Sequence, residues 1–406
     1  MPAGTCRVIH TTDPCYTTSS PAVDPNRRYV YSYGLDGAVH KYRVGDGREM
    51  RGQGWPERTT LRPGVEKGSS ALAIAVANGT RFLYATTAGF VPNSGTYQGH
   101  LTTINLATGH QHVFNTLCSQ HRDVHYRGPA GPATCVSIDG GVWGRPGVVY
   151  STATNRIYLA VGNGFFSPYR HSWGDSVLAL HPDGTGRPDG DPLDSYTPTN
   201  QADLLAQDLD LGSTSPVLLP PVPKSALPHL ALQVGKDGEM HLLNLDDLSG
   251  QGGPGHLGGE IVPLSRVPQG GLVFGQPAVW VNPADGAVWV FVSSVNGLAG
   301  LRLTADATGT PHLQPVWQIS AQATSPLVAN GVLYVAGDHD LQALDPLSGR
   351  RLWHDPTLHN IHWESPVVAN GILYISDWQG GQFSRLRAYS LPVVALATRP
   401  NYDSNG

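Results

Sequence analysis

The chain has 406 residues, 40% of them hydrophobic and only 14% charged, with a net charge of −5. Such a length admits two or three average domains or one large all-β domain. The low charge, with no Lys/Arg cluster of five or more residues, argues against nucleic acid and anionic membrane as partners, and no apolar stretch approaches the roughly 18 residues that cross a membrane as a helix.

The 49 glycines and 33 prolines make a turn-rich chain that stays below the level of low-complexity disorder, and the apolar content still fills a large core. The opening MPAGTCRV has no basic start followed by an apolar run, so an exported form is expected to have had its signal removed. Four cysteines allow three disulfide connectivities, of which Cys6 with Cys15 and Cys118 with Cys135 close the shortest loops. Together with little Lys and abundant Asn, Gly, Thr and Trp, they point to an extracytoplasmic location, periplasmic or secreted.

Taken from the N-terminus, one kind of strand-opening word recurs seven times: SSPAV at 19–23, SSALAI at 69–74, GRPGVV at 144–149, STSPVLL at 213–219, GQPAVW at 275–280, TSPLVA at 324–329 and ESPVVA at 364–369. Each leads into a β-branched or aromatic run bounded by Gly, Asn or Asp, such as RFLYATTAG, RIYLAVGNG or GVLYVAGDHD, and then into a third run such as HLTTINLATG or LQALDPLSG. Strand, turn, strand, turn, strand, then Asp-x-x-Ser/Thr-Gly and often a Trp describe a four-stranded antiparallel blade, and a ring of such blades is a β-propeller. Pro at the first residue of a strand is tolerated there because its missing N–H costs no ladder bond.

The prediction is therefore an all-β chain, a single propeller domain over 1–406 with seven blades. An eighth, degenerate blade hidden in 50–68 or 118–140 is the alternative. CRVIHT at 6–11 is expected to close the ring as the outer strand of the last blade, and insertions are expected at about 118–140 and 181–212. The one helical pattern is QADLLAQDLDL at 201–211.

In such a ring the residues just before each innermost strand converge at one mouth of the central channel. The charged, aromatic and amide members of that set are Glu66, Lys67, Trp143, Arg145, Phe274, Gln276, His362, Trp363 and Glu364, a mixture suited to a small-molecule or glycan ligand. The Ser and Thr members, Ser19, Ser20, Ser69, Ser215 and Thr324, read instead as caps for strand-end amides. Elsewhere Cys118, His121, His125 and Cys135 form either a tetrahedral metal set or a 118–135 disulfide with two exposed histidines. The Asp-rich stretch at 181–194 either coordinates Ca²⁺ or simply turns.

The words GGVWGRPGVVYSTATNRIYLAVGNGFFSPY at 140–169, GDSVLAL, DLDLGSTSP at 208–216 and QVGKDGEMHLLNL at 233–245 resemble the pyrroloquinoline quinone (PQQ) dehydrogenases, which include methanol and polyvinyl alcohol dehydrogenases. The resemblance implies PQQ stacked on Trp143, calcium held by Asn163 and Asp210, Asp210 or Asp208 as general base, and Lys236 on the quinone oxygens; of the residues at the mouth, Arg145, Lys67 and Trp363 are expected beside the cofactor. It implies an oxidoreductase acting on an alcohol or sugar.

The chain departs from the family pattern in the second unit, where no Glu falls near TTAGFVPNSGTYQGHLTTINL, and it has neither an adjacent Cys-Cys pair nor a C-x-x-C-H haem site. PQQ-repeat propellers that bind no quinone, such as assembly scaffolds, carry the same words. A non-catalytic propeller recognising a glycan, peptide or partner protein is thus the other reading. A hydrolase or lyase built on Glu364, His362 and Glu66 is a third.

Overall fold

The computed structural model describes residues 16–90, 96–126, 135–361, 364–380 and 383–390. Its strands form seven antiparallel blades arranged as a β-propeller. Blades four, five and six show the plain pattern of four strands in chain order: Val217–Leu219, Leu230–Val234, Glu239–Asn244 and Ser265–Arg266; Ala278–Val281, Val288–Ser294, Gly297–Ala305 and Pro311–Ile319; Leu327–Ala329, Val332–Ala336, Leu341–Leu344 and Arg351–Asp355. Blade three has the same order from Val149–Ser151 to Asp194–Tyr196, with a small hairpin, Phe166–Ser167 and Ser172–Trp173, let in after its second strand.

The stretch at 50–68, which could have hidden an eighth blade, serves its neighbours instead; part of the other candidate, 118–140, lies outside the described residues. Glu49–Met50 and Glu57–Arg58 share the outer edge of blade one, and Glu66–Gly68 pairs with the far end of Thr80–Gly89 in blade two. Blade seven shows three strands among the described residues, Val367–Ala369, Ile372–Gly380 and Phe383–Ser390. The segment 6–11 expected to complete it, and the Cys6 and Cys15 pair, lie outside the described residues.

Alternation along the strands explains why the second strands read as continuous apolar runs. Successive side chains leave opposite faces of a strand, and in a ring each face of a blade meets a different neighbour. In blade three, Ile157, Leu159 and Val161 pack toward blade two, with Tyr84, Leu101 and Phe114, while Tyr158 and Ala160 pack toward blade four, with Ala231 and Leu243. Blade five repeats the division: Val288, Val290 and Val292 join Leu230, Leu232 and Val234 of blade four, and Trp289 and Phe291 join Leu333, Val335 and Leu344 of blade six. Each fully buried side chain of this size contributes about 1.5–3 kcal/mol.

The repeated Asp-x-x-Ser-Gly word is a tight turn. Asp345 accepts the amide of Leu347 through Oδ1 at 2.9 Å and the amide of Gly349 through its carbonyl at 2.8 Å, and Gly349 has φ +69°. The Trp that follows the preceding turn docks on this one: Trp317 donates from Nε1 to Pro346 O at 2.9 Å. A Cβ on Gly300 or Gly349 would stand 2.3 or 2.6 Å from the Trp317 indole, so both positions require glycine.

The predicted helix spans Gln201–Gln207 and stops where Asp208 turns left-handed at φ 56°. No helix among the described residues is long and apolar enough to cross a membrane. Of the two readings for Cys118, His121, His125 and Cys135, the structure has the disulfide, Cys118–Cys135, and no group of three or more His, Cys, Asp or Glu able to hold a metal occurs among the described residues.

The disulfide closes a loop of 17 residues in sequence separation, and loops of that size stabilise by about 3 kcal/mol through the unfolded chain. The Cys118→Ser, Cys135→Ser double variant is expected to lose roughly that amount in urea unfolding of the oxidised protein and to be insensitive to added reductant; an oxidised wild type no more stable than the variant would contradict this.

Candidate functional site at the channel mouth

The first strands of neighbouring blades adjoin one another, which places them around the central axis. Because first and second strands are antiparallel, the residues before a first strand and those after a second strand lie on one face of the ring. The opening words meet there and tie blade to blade. Leu72 N donates to Ser20 O at 3.0 Å and Ala71 N to Arg145 O at 2.8 Å. Ser70 Oγ donates to Val142 O at 2.9 Å, and Ser215 Oγ to Gly147 O at 2.8 Å. Gln276 spends both ends of its amide on Ser215, accepting from N and donating to O, each at 2.9 Å. Its position is that of a bracket between blades four and five.

Glu66 is similarly engaged. It is buried, accepts from Arg62 Nη1 at 3.3 Å and from Gln98 N at 3.2 Å through Oε1, and takes the Thr60 hydroxyl on Oε2. Lys67 is 2% exposed and has its Nζ 4.1 Å from the centroid of Tyr16 and 5.8 Å from that of Phe90. Burial, with the charge of Arg145 adding to it, lowers its pKa to about 8. Burial also brings Arg145 down to about 10, against the opposing pull of Glu364. His362 and Trp363 lie outside the described residues.

Trp143, Asn163, Asp208, Asp210 and Lys236 come together from the loops of blades three and four. Asp210 is buried and accepts from Asn163 N at 2.6 Å, while its other oxygen is paired with Lys236 Nζ. Asp208 is exposed; it accepts from Asn163 Nδ2 at 2.7 Å and stands 3.4 Å from Lys236 Nζ, which also donates to its carbonyl at 3.1 Å. Burial alone would lower the Lys236 pKa, but the carboxylates of Asp210 and Asp208 outweigh it and hold the pKa above the usual value. Asn163 Oδ1 is enclosed and has no hydrogen-bond partner.

The Gly-Asn and Trp-Gly words now have a local reason. A Cβ on Gly162 would stand 2.3 Å from Asp210 Oδ1 and 2.8 Å from Trp143 Cδ1, so only glycine lets carboxylate and indole approach from the two sides. Tyr97 stands edge to face with Trp143, at 5.9 Å between ring centroids.

Three further groups of this cluster escaped the sequence reading. Asp139 has its carboxyl pKa raised by burial and by the charges of Asp210 and Asp208. Asp175 is wholly buried, accepts from Leu211 N at 3.1 Å and Gln201 Nε2 at 3.3 Å, and is pushed up to about 8 by burial, with Asp210 adding to the rise. Burial and these four acids raise the Tyr97 hydroxyl well above its ordinary range. Asp175 sits in the word GDSVLAL, and that word is the only signal it left; Asp139, in Ile-Asp-Gly-Gly, looks like an ordinary turn residue.

Beside this cluster, on the same face, lies a cavity of about 330 Å³ lined by Arg145 from blade three, Phe274 and Val295 from blade five, Thr324 and Ala336 from blade six and Ile361 ahead of blade seven. Residues far apart in sequence therefore share one opening.

No family model matches the chain, and no curated protein matches it. Solved structures do. The quinohemoprotein alcohol dehydrogenase ADHIIG from Pseudomonas putida HK5 is similar over 86% of this chain and 61% of that one, at 15% identity and a TM-score of 0.54. A europium-containing methanol dehydrogenase is similar over 88% of this chain and 72% of that one, at 15% identity and a TM-score of 0.57. The quinohemoprotein alcohol dehydrogenase from Comamonas testosteroni is similar over 86% and 61%, at 16% identity and a TM-score of 0.53. The chain thus spans about three fifths of the length of the two quinohemoproteins, and at such identities the likeness is one of fold, a quinoprotein-like propeller.

The raised Asp175 gives a pH test. Its folded pKa of about 8 exceeds the ordinary 3.8, so the native state keeps a proton that the unfolded chain releases in between. Where the native state binds more protons, stability falls as pH rises. Wild type is expected to lose stability from about pH 4 to pH 8, and Asp175→Asn to lose less. Parallel urea melts at pH 5 and pH 8 showing equal losses would refute the placement of a neutral carboxyl there.

Proposed function

We propose that the cluster at blades three and four is the reaction centre of a quinoprotein-like oxidoreductase that oxidises an alcohol or a sugar. The observation that carries the proposal is the convergence of Asn163, Asp208, Asp210 and Lys236 into one hydrogen-bonded set, with the Trp143 indole beside it across Gly162. Asp208 and Asp210 share a single ammonium there, and the enclosed amide oxygen of Asn163 has no hydrogen-bond partner. That excess of hard oxygen fits Ca²⁺. The half-buried Trp143 face and the desolvated Lys67 ammonium fit a flat, anionic quinone.

Asn163, Asp208 and Asp210 would hold Ca²⁺; Trp143 would be the platform of PQQ, with Lys236 and Lys67 at its oxygens. When bound, PQQ supplies a two-electron acceptor for the substrate C–H and Ca²⁺ polarises it. The chain's own residues then have two tasks. Asp210 takes the substrate hydroxyl proton as general base, and Lys236, shared between Asp208 and Asp210, stays paired with one carboxylate when the other is protonated. Trp143, braced by Tyr97, fixes the plane against which the substrate carbon is presented. The Cys118–Cys135 disulfide supports an extracytoplasmic place for this chemistry.

One observation favours the second reading, a non-catalytic propeller that recognises a glycan, peptide or partner protein: Glu66, the acid of the second unit, is consumed by Thr60, Arg62 and Gln98 and offers the mouth nothing.

Mixing the protein with PQQ and Ca²⁺ decides between them. The oxidoreductase gives a bound absorption band, a raised melting temperature and dye reduction with a panel of alcohols and sugars; absence of all three leaves the binding propeller. Trp143→Ala is expected to abolish quinone binding. Asp210→Asn is expected to lower kcat about 10²–10⁴-fold, the range of general-base catalysis, and quinone binding unaffected by Trp143→Ala would place the site elsewhere.

A further inference from the structure

The face opposite the mouth carries the turns between first and second strands and between third and fourth strands. Where blades two and three meet on that face, two hollows of about 380 and 200 Å³ adjoin and share Thr80, Phe82 and Asp183. They form one groove. It arises from the lettering of blade two. Tyr84, Leu101 and Phe114 fill the seam with blade three, but toward this end of the blade the same face becomes polar, with Thr103 and His112 in register with Tyr84 and with Asn105 in register with Phe82. The apolar seam ends at Phe82, and beyond it the two blades part.

The far wall is set firmly. Tyr84 donates its hydroxyl to Pro182 O at 2.7 Å, and a Cβ on Gly184 would collide with the Thr103 hydroxyl, so the 181–184 turn of blade three lies hard against blade two. Several polar groups of the lining are fixed by bonds on one side only. Asn105 Oδ1 accepts from Ala107 N at 2.9 Å and Asn155 Oδ1 from the Tyr150 hydroxyl at 2.9 Å, which leaves each amide nitrogen to donate. The Asn78 amide, the Thr80 hydroxyl and the His181 ring have no hydrogen-bond partner among the described residues.

These groups ask for hydrogen bonds rather than counter-charge. No Lys or Arg lines the groove, and its one carboxylate, Asp183, accepts through Oδ1 from Thr185 N at 3.0 Å and from the Thr185 hydroxyl at 2.6 Å. An anion would find no lysine or arginine there, and an apolar body would leave the amides unbonded. A primary amide carries a donor and an acceptor together, which matches a pair of neighbouring hydroxyls. The half-buried Phe82, common to both hollows, offers a ring whose negative face suits the C–H side of a sugar. Two joined hollows suit a chain of sugar units better than a single ring.

We propose that this groove binds a neutral oligosaccharide, one sugar ring lying on Phe82 and its hydroxyls bonded by Asn78, Thr80, Asn105, Asn155 and His181. The site lies on the opposite face from Trp143 and goes beyond the oxidoreductase reading, since it requires no quinone.

Calorimetric titration of the full chain with maltohexaose, cellohexaose, xylohexaose and mannohexaose, each beside its monosaccharide, and with hexagalacturonate as a charged counterpart, tests this. Saturable binding of at least one neutral hexamer, at least about tenfold tighter than its monosaccharide, is expected. Hexagalacturonate, which sets carboxylates against Asp183, should bind at least about tenfold more weakly than that hexamer. Thr80→Met fills the junction of the two hollows and should abolish binding. Phe82→Ala should weaken it about tenfold or more. His181→Ala should weaken it severalfold; His181 is exposed and unbonded, so this variant keeps the test valid if the phenylalanine variant misfolds. Trp143→Ala should leave binding unchanged, which separates the groove from the mouth. No saturable binding of any of the four hexamers, no preference for hexamer over monosaccharide or over hexagalacturonate, binding that survives Thr80→Met, or binding lost with Trp143→Ala would overturn the proposal.

Discussion

Every blade of this ring buries its two faces in two different seams. Odd and even residues of one second strand, Ile157 and Tyr158 for instance, belong to separate apolar clusters shared with separate neighbours. A blade alone would leave one of those clusters open to water, and a one-residue slip of register would exchange the two sets. The mouth depends on this constraint, because the loops that carry Trp143, Asn163, Asp210 and Lys236 are placed by strands whose register the seams dictate.

Two electrostatic regions share the mouth. On the side of blades three and four, carboxyl groups outnumber ammonium, and their mutual repulsion and burial raise Asp139 and Asp175. Toward the axis, Lys67 and Arg145 are desolvated cations that repel each other. Water normally offsets both kinds of imbalance, and here burial withholds it.

The ring was legible in the sequence because its signal is periodic: seven opening words, apolar runs and Asp-x-x-Ser-Gly turns repeat in step, and each repeat reinforces the others. The five residues of the Trp143 cluster were legible through their words, and the chain does bring them together. Engagement was not legible. Gln276 and Glu66 arrive near the mouth as their positions predict, but Ser215 occupies the first, and Thr60, Arg62 and Gln98 occupy the second. Nothing local to a glutamine or glutamate says which distant amide will claim it. Asp139 and Asp175 failed to stand out for a related reason: an acid beside glycine is ordinary turn chemistry until folding removes its water.

The strap at Asp139–Gly141 reaches the mouth through main-chain atoms. Asp139 bridges to Gln98 on one side and Gly164 on the other, Gly140 N donates to Asn163 O at 2.6 Å, and Gly162 N donates to Gly141 O at 2.8 Å. Peptide groups are the same whatever side chains they carry, so this scaffold tolerates drift in the lettering while keeping Asn163 and Trp143 in place. An arrangement held by peptide groups depends little on which residues supply them.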